Sequence, residues 1–220
     1  MPLLAHERVA WSAGNLLIGI DEVGRGPLAG PVVAAAVCFP IDHPGIPGVR
    51  DSKRVPDQTM RRTLASQIQR DAVAFGLGAA SVREIARINI RRATALAMRR
   101  ALLRCRARLT CDVATIVVID GLPMPELGEL HQALVKGDAQ CHAIAAASLL
   151  AKVARDRLMQ ALAARRPGYG WQTNVGYATR EHIAALRVQG LTPHHRSRFC
   201  DTALGQREIF EPREWQADRP

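Results

Sequence analysis

A chain of 220 residues is long enough for one sizeable core, or for a domain with a small appendage. Aromatic residues are only 4% of it, so Ala, Val, Leu and Ile must fill the interior, and 30 basic against 20 acidic residues leave a formal charge of +10, which suits a polyanionic partner. No stretch approaches the length that spans a bilayer, no basic segment followed by an apolar core opens the chain, and five cysteines without a C-x-x-C pair offer neither a zinc site nor a disulfide framework; a cytoplasmic protein without membrane association is expected.

Taken in chain order, residues 1–14 are polar and unpatterned and are expected as a flexible end. Residues 16–21 (LLIGID) and 30–39 (GPVVAAAVCF) read as buried strands across a loop whose Gly and Pro forbid a helix, and so short a link favours antiparallel pairing. After the loop IDHPGIPG and Asp51-Ser52-Lys53, Pro56 is expected to open a helix to about Arg70, and residues 73–80 read as a third strand. Residues 89–109 form a long Ala-, Leu- and Arg-rich helix capped by Asn89, with Arg100, Arg104 and Arg108 on a plain exposed face. In the strand at 113–119, alternation puts Ile116, Val118 and Asp120 on one face. A short apolar piece, 133–135, ends at Lys136-Gly137-Asp138, and Asp138 sits where a cap belongs for a helix from about Ala139 to Arg165. Beyond Pro167, the glycine-rich YGWQTNVGY leads to a helix over 179–188. The expected organisation is a core over 15–166, a helical C-terminal lobe over 167–204, and a second flexible end over 205–220.

Asp21 and Glu22 end the first strand and are followed at once by Gly24-Arg25-Gly26, a placement that suggests divalent-metal chemistry on a phosphodiester. Asp120 at another strand end and Asp138 at a helix start can join them if those strands are neighbours. Glu22 meets Asp21 only if the chain bends after it, because adjacent residues of a pleat face opposite ways; Gly24 permits that bend. Singly, each acid has a plainer reading: Asp138 as an N-cap, Asp120-Gly121 as a turn, Asp21-Glu22 as a solvated strand end. Together they fit those readings poorly, since carboxylates clustered at buried strand ends repel one another. Residues 24–29 also match the dinucleotide pattern G-x-G-x-x-A, but Pro27 and the strand after it replace the helix that pattern requires. His194-His195 lacks the spacing of a zinc hydrolase, and phosphate contact or packing explains the pair better. On the helix after Asp138, Ser148, Lys152 and Arg155 share a face that reads equally as a phosphate track or a solvated polar stripe.

These residues resemble the type 2 ribonucleases H, in particular the bacterial ribonuclease HII family. The resemblance runs from about Leu17 to Phe199 and is carried by GIDEVGRGPLAGPVVAAAV (19–37), DSK (51–53), INIRRATALAM (88–98), VVIDG (117–121), VKGDAQ (135–140), AAASLLAKVARDRLM (145–159), GYATREH (176–182) and TPHHR (192–196). It implies an α/β, ribonuclease H-like fold: a mixed five-stranded sheet, three strands in an antiparallel meander and two parallel, flanked by helices, with a small helical lobe. It implies an endoribonuclease that cuts the RNA strand of RNA/DNA hybrids, and ribonucleotides embedded in duplex DNA, leaving 5′-phosphate and 3′-hydroxyl ends. By the same resemblance Asp21, Glu22, Asp120 and Asp138 are the catalytic, metal-binding quartet for two divalent ions, Mg²⁺ or Mn²⁺. Gly24-Arg25-Gly26 resembles the loop that reads the ribose 2′-hydroxyl, and Tyr177 its junction-sensing partner. Ser52, Lys53, Ser148 and Lys152 are expected as further nucleic-acid contacts, and a monomer is expected.

Two departures stand out: Val175 where members often carry Lys before Gly-Tyr, and Arg198 where serine is frequent. The competing readings are a hybrid-binding module without catalysis and a DNA junction nuclease on the same sheet.

Overall fold

The computed structural model describes residues 3–49, 57–110 and 113–205. Its centre is a five-stranded sheet in the order β3-β2-β1-β4-β5, made of β1 Leu16–Val23, β2 Val32–Cys38, β3 Ala74–Ala80, β4 Thr115–Asp120 and β5 Gln132–Leu134. β1, β2 and β3 run antiparallel in a meander, while β4 lies parallel to β1 and β5 parallel to β4. The expected mixed ribonuclease H-like sheet is therefore present.

The absence of alternation in VVAAAV has a direct cause. β2 is covered on both faces, so every position is apolar. On one face Leu17, Val33 and Val37 pack with α4 (His142–Arg165) and with Leu64 and Ile68 of α2 (Gln58–Asp71). On the other, Ile18, Ile20 and Val32 pack with Met98 and Leu102 of α3 (Val82–Arg106).

Several element boundaries differ from the sequence reading for local reasons. α2 begins at Gln58 with Asp57 as its cap, whose carboxylate accepts from the amides of Thr59 (3.1 Å) and Met60 (3.0 Å); Pro56, the expected opener, lies outside the described residues. α3 starts seven residues before Asn89 on a capping box, with the Ser81 hydroxyl accepting from the Glu84 amide and the Ser81 amide donating to Glu84 at 2.8 Å. Asn89 still acts as a cap: it breaks the helix at φ 66°, and its side-chain oxygen accepts from the Arg92 amide at 3.1 Å.

Arg100, Arg104 and Arg108 are not a plain exposed face. They donate in turn to the carbonyls of Ala79 (2.7 Å), Leu77 (2.5 Å) and Phe75 (3.0 Å). A one-turn spacing on the helix thus matches alternate carbonyls of β3, the open edge of the sheet, and covers acceptors that would otherwise recruit another strand.

Residues expected in a loose N-terminal end form α1, Ala5–Ser12, with Ala10 and Trp11 buried. Glu7 explains why. α4 begins at His142 rather than Ala139, and its N-cap Cys141 offers no side-chain cap. Glu7 Oε1 supplies one from outside, accepting from the Ala143 amide at 2.8 Å and from the Cys141 thiol at 3.1 Å, and burial with that carboxylate pushes the thiol well above its usual range.

The C-terminal lobe contains α5 Trp171–Asn174, α6 Arg180–Gln189 and α7 Ser197–Leu204. Its apolar centre joins Tyr169, Trp171, Leu186 and Cys200 to Met159 of α4 and to Leu28 and Ala29 of the β1–β2 loop. Two buried histidines stitch it together, and their partners define their tautomers. His195 Nδ1 accepts from the Thr192 amide at 2.8 Å, so its proton sits on Nε2. His182 Nδ1 faces the Tyr177 carbonyl at 2.8 Å, an acceptor only, so that nitrogen bears the proton. His182 Nε2 then accepts from the Trp171 indole (3.0 Å) and from His195 Nε2 (3.1 Å). Both rings are neutral, and protonating either sets donor against donor. Among the described residues no helix is long and apolar enough to cross a membrane.

Two outcomes are expected. At Gly19 the backbone of α4 at Ala143 and Ile144 occupies the space of a Cβ, so Gly19→Ala should push α4 off β1 and cost roughly 1–3 kcal/mol, read as a lowered urea midpoint. Burial holds His195 down at about 4 and His182 below its ordinary 6.5, so the unfolded chain takes up these protons first. Their contribution is complete above about pH 6.5 and is lost as pH falls from there toward 4. His142, also lowered to about 4, adds a slope of the same sign. Comparing urea unfolding of the native chain and His195→Gln between pH 7.5 and 4.5 isolates the lobe, and the variant should show the shallower loss.

Candidate active site

β1 and β4 are parallel neighbours whose register pairs Ile20 with Ile119, so Asp21 and Asp120 come one residue later on each strand, side by side at the same end of the sheet. Alternation turns Asp21 to the α4 face, where it is buried and the Ser148 hydroxyl donates to its carboxylate. Its Oδ1 also accepts from the Glu22 amide at 2.7 Å. Asp120 Oδ1 accepts from the Gly137 amide at 2.6 Å, which ties the end of β4 to the 3-10 turn Gly137–Ala139.

β1 continues to Val23 and turns at Gly24, where φ is 90°. The bend that the sequence required therefore follows the acidic pair directly, and Glu22 stays within electrostatic reach of both Asp21 and Asp120. Arg25 donates to Glu22 Oε1 at 3.2 Å from an exposed position. Burial first, then the charges of Glu22 and Asp120, raise the Asp21 carboxyl well above its ordinary 3.8. Burial likewise raises Glu22, with Asp120 adding to it and Arg25 opposing it.

Asp138 is not a cap. It lies inside the 3-10 turn, four residues before α4 starts, and follows directly the glycine whose amide binds Asp120. Among the described residues no three carboxylates, imidazoles or thiols are drawn together as a ready-made metal site. The donor set is an open cluster of hard oxygens, which suits a cation that keeps water and completes its shell with phosphate oxygens.

The other expected contacts divide. Ser52 and Lys53 lie outside the described residues. Ser148 is in the site, beside Asp21. Lys152, one helical turn on, is paired with Asp156 at 2.7 Å. Arg155 does not extend a phosphate track, because it is wholly buried and donates to the carbonyls of Pro31 (3.1 Å), Val175 (2.9 Å) and Ala29 (3.1 Å).

Gly24-Arg25-Gly26 forms the outer part of the β1–β2 loop, with Gly26 and Arg25 exposed and Gly24 buried over Arg155. Tyr177 stands 44% exposed on the turn after α5, with the Arg155 guanidinium 6.0 Å from its ring centre. The two are physically joined: the Gly176 carbonyl accepts from the Leu28 amide at 2.8 Å and from the Ala29 amide at 3.3 Å. Val175 enters that turn at φ 43°, a left-handed conformation that costs a β-branched residue about 1–3 kcal/mol. Sequence reasoning passed over Arg196, which grips the loop from below; its place after His194-His195, within a motif already singled out, was the available signal.

A family model for ribonuclease HII matches residues 18–202. A ribonuclease HII of Synechococcus sp. (strain JA-3-3Ab) is 49% identical over 203 residues, covering 90% of this chain and 88% of its own. The solved structure of ribonuclease H2 from Pyrococcus horikoshii OT3 matches with a TM-score of 0.69 at 21% identity, covering 87% of this chain and 98% of its own. That of Bst-RNase HIII in complex with Mn²⁺ matches with a TM-score of 0.66 at 21% identity, covering 88% of this chain and 70% of its own. At such identities the two structures speak for the fold alone. With nearly half its residues shared with a ribonuclease HII across most of both chains, and carboxylates gathered at the ends of β1 and β4, the chain belongs to the ribonuclease HII family of ribonuclease H endonucleases.

Proposed function

We propose that Asp21, Glu22, Asp120 and Asp138 hold two divalent cations, Mg²⁺ or Mn²⁺, and that the chain cuts RNA strands in RNA/DNA hybrids and single ribonucleotides embedded in duplex DNA. The observation that carries this reading is the convergence of Asp21, Glu22 and Asp120: Asp21 and Glu22 are raised by desolvation and by neighbouring carboxylates, a strain that a cation relieves. When bound, such ions activate a water and stabilise the departing 3′ oxygen, giving 5′-phosphate and 3′-hydroxyl ends.

The chain's own groups do the rest. Ser148 orients the Asp21 carboxylate, and the Gly137 amide orients Asp120. Backbone at Gly24 to Gly26, exposed at Arg25 and Gly26 and free of side chains at the glycines, approaches the ribose 2′-hydroxyl, which is both donor and acceptor. The Tyr177 ring packs on the following deoxyribose and disfavours a bulkier sugar. Lys152, one helical turn beyond Ser148 on α4, is assigned as a phosphate contact held in place by Asp156, and Ser52 and Lys53 are assigned as further contacts. We assign a monomer in a reducing cytoplasm, in keeping with the buried thiols of Cys105, Cys141 and Cys200.

Asp21→Asn should lower turnover on an RNA/DNA hybrid on the order of a hundredfold or more while leaving hybrid binding nearly unchanged; an undiminished rate in metal-replete buffer would remove Asp21 from the site. The same variant has a stability signature. A carboxyl raised in the fold contributes its stability below about pH 3.8 and loses it as pH rises through the folded value. Asp21→Asn should therefore melt higher than the native chain at neutral pH without divalent ions, and the gap should close on acidification.

Substrate choice is tested with matched duplexes carrying no, one or several ribonucleotides, each with Mg²⁺ and with Mn²⁺, and an all-DNA four-way junction as control. Cleavage is expected wherever a ribonucleotide is present and absent on all-DNA substrates. Cleavage of the junction would favour the DNA nuclease reading instead.

A further inference from the structure

Arg155 and Arg196 are among the most buried side chains in the molecule, 0% and 3% exposed, and every hydrogen-bond acceptor recorded for them is a backbone carbonyl. Arg196 donates through Nη2 to Gly24 (2.6 Å) and Gly30 (2.7 Å), through Nη1 to Arg25 (2.8 Å), and through Nε to Gly30 (3.0 Å). Arg155 donates to Pro31 and Ala29 on the same loop and to Val175 on the Tyr177 turn. One guanidinium thus spans the start and end of the loop, and the other fastens the loop to the turn.

Their placement is costly. Two like charges sit close enough that Arg155 adds to the burial that presses Arg196 down to about 9. Carbonyl dipoles offset part of that cost, and the site gains positive potential directly beneath a loop that must receive a phosphodiester. The geometry also restricts what else fits: a Cβ at Gly24 collides with Arg155 Nε, and one at Gly176 comes within 2.6 Å of the Ala29 carbonyl. Loop, turn and cations are one packed unit.

We propose that Arg155 and Arg196 are positioning residues that fix the Gly24 and Arg25 carbonyls and the Tyr177 turn relative to each other, and so set ribose discrimination at an RNA–DNA junction. The inference rests on the ribose-reading role given above to Gly24, Arg25, Gly26 and Tyr177. Arg196 aligns the group that meets the 2′-hydroxyl. Arg155 keeps the ring that meets the next sugar at the matching distance, so that the two sugars are read together rather than separately. Arginine is required because its fork reaches several carbonyls at once, whereas a lysine ammonium donates from one point.

The test compares the native chain with Arg196→Lys and Arg155→Lys, in matched assays of a duplex with one ribonucleotide and a continuous RNA/DNA hybrid. The two lysine variants should lose at least tenfold more kcat/KM on the single-ribonucleotide duplex than on the hybrid, because only the former presents both sugars. A merely structural role would lower both substrates alike, and an unchanged ratio in a variant with native-like melting overturns the inference. Hydrogen exchange gives a second measure: amides of residues 24–30 should exchange at least tenfold faster in each variant, with residues 74–80 unaltered. If one variant fails to fold, the other carries both measurements, and equal exchange in the two segments also overturns the proposal. Should the native chain itself fail to cut ribonucleotide-containing duplexes, the ribose reading falls and this inference with it; native discrimination retained in the variants defeats the inference alone.

Discussion

The close seat of α4 on β1 is the constraint from which the functional geometry follows. Gly19 lets the first turn of the helix lie against the strand, and Glu7 from α1 satisfies the amide that this burial would otherwise orphan. From that fixed origin the helix acts as a ruler. Ser148 arrives beside Asp21, and Arg155 follows about 10 Å further along, beneath the β1–β2 loop. Met159, one turn later, enters the lobe. The separation between the acidic cluster and the β1–β2 loop is thereby set by helical rise, which is stiffer than any loop.

The charges are arranged in opposition along the same line. At one end of the sheet, burial and neighbouring carboxylates raise the proton affinity of Asp21 and Glu22; beneath the neighbouring loop, burial lowers that of Arg155 and Arg196, and Arg155 adds to the lowering of Arg196. Neither cluster is at its electrostatic minimum by itself, and each becomes more favourable when a cation or a phosphodiester is brought to it. The net charge of +10 adds a long-range attraction for a polyanion but selects no position on it. Selection must come from these short-range features, in which side-chain charge is used mainly to hold backbone in place.

Much of this was legible in the sequence because it is local. The pair Asp21-Glu22, the bend at Gly24, the doubly buried run of β2 and the cap at Asn89 each leave a signature within a few residues. What was not legible is long-range satisfaction of polar groups. Glu7 looked like part of a polar end because its partner is more than a hundred positions away. Arg155 shared a helical face with Ser148 and Lys152, and periodicity cannot tell a solvated arginine from one capped by carbonyls. The ladder of Arg100, Arg104 and Arg108 was missed for the same reason, since its acceptors belong to another strand. The capping box at Ser81 and Glu84 is local and carries its own signature in the sequence, ahead of the second cap at Asn89.

Val175 brings these strands of argument to one residue. A β-branched side chain at φ 43° persists only where the surroundings over-determine the backbone, and here they do. Its carbonyl accepts from Arg155, the neighbouring Gly176 amide donates to the Asn174 side chain at 2.8 Å, and the Gly176 carbonyl accepts from the β1–β2 loop. The Tyr177 carbonyl is held in turn by His182. The conformation of this turn is thus dictated by what its peptide groups touch, and the identity of the side chain at 175 is secondary to it. The lysine that the family resemblance leads one to expect there can give way to valine without moving Tyr177, because the turn is held by the buried arginine and the neutral histidine pair rather than by the side chain at 175.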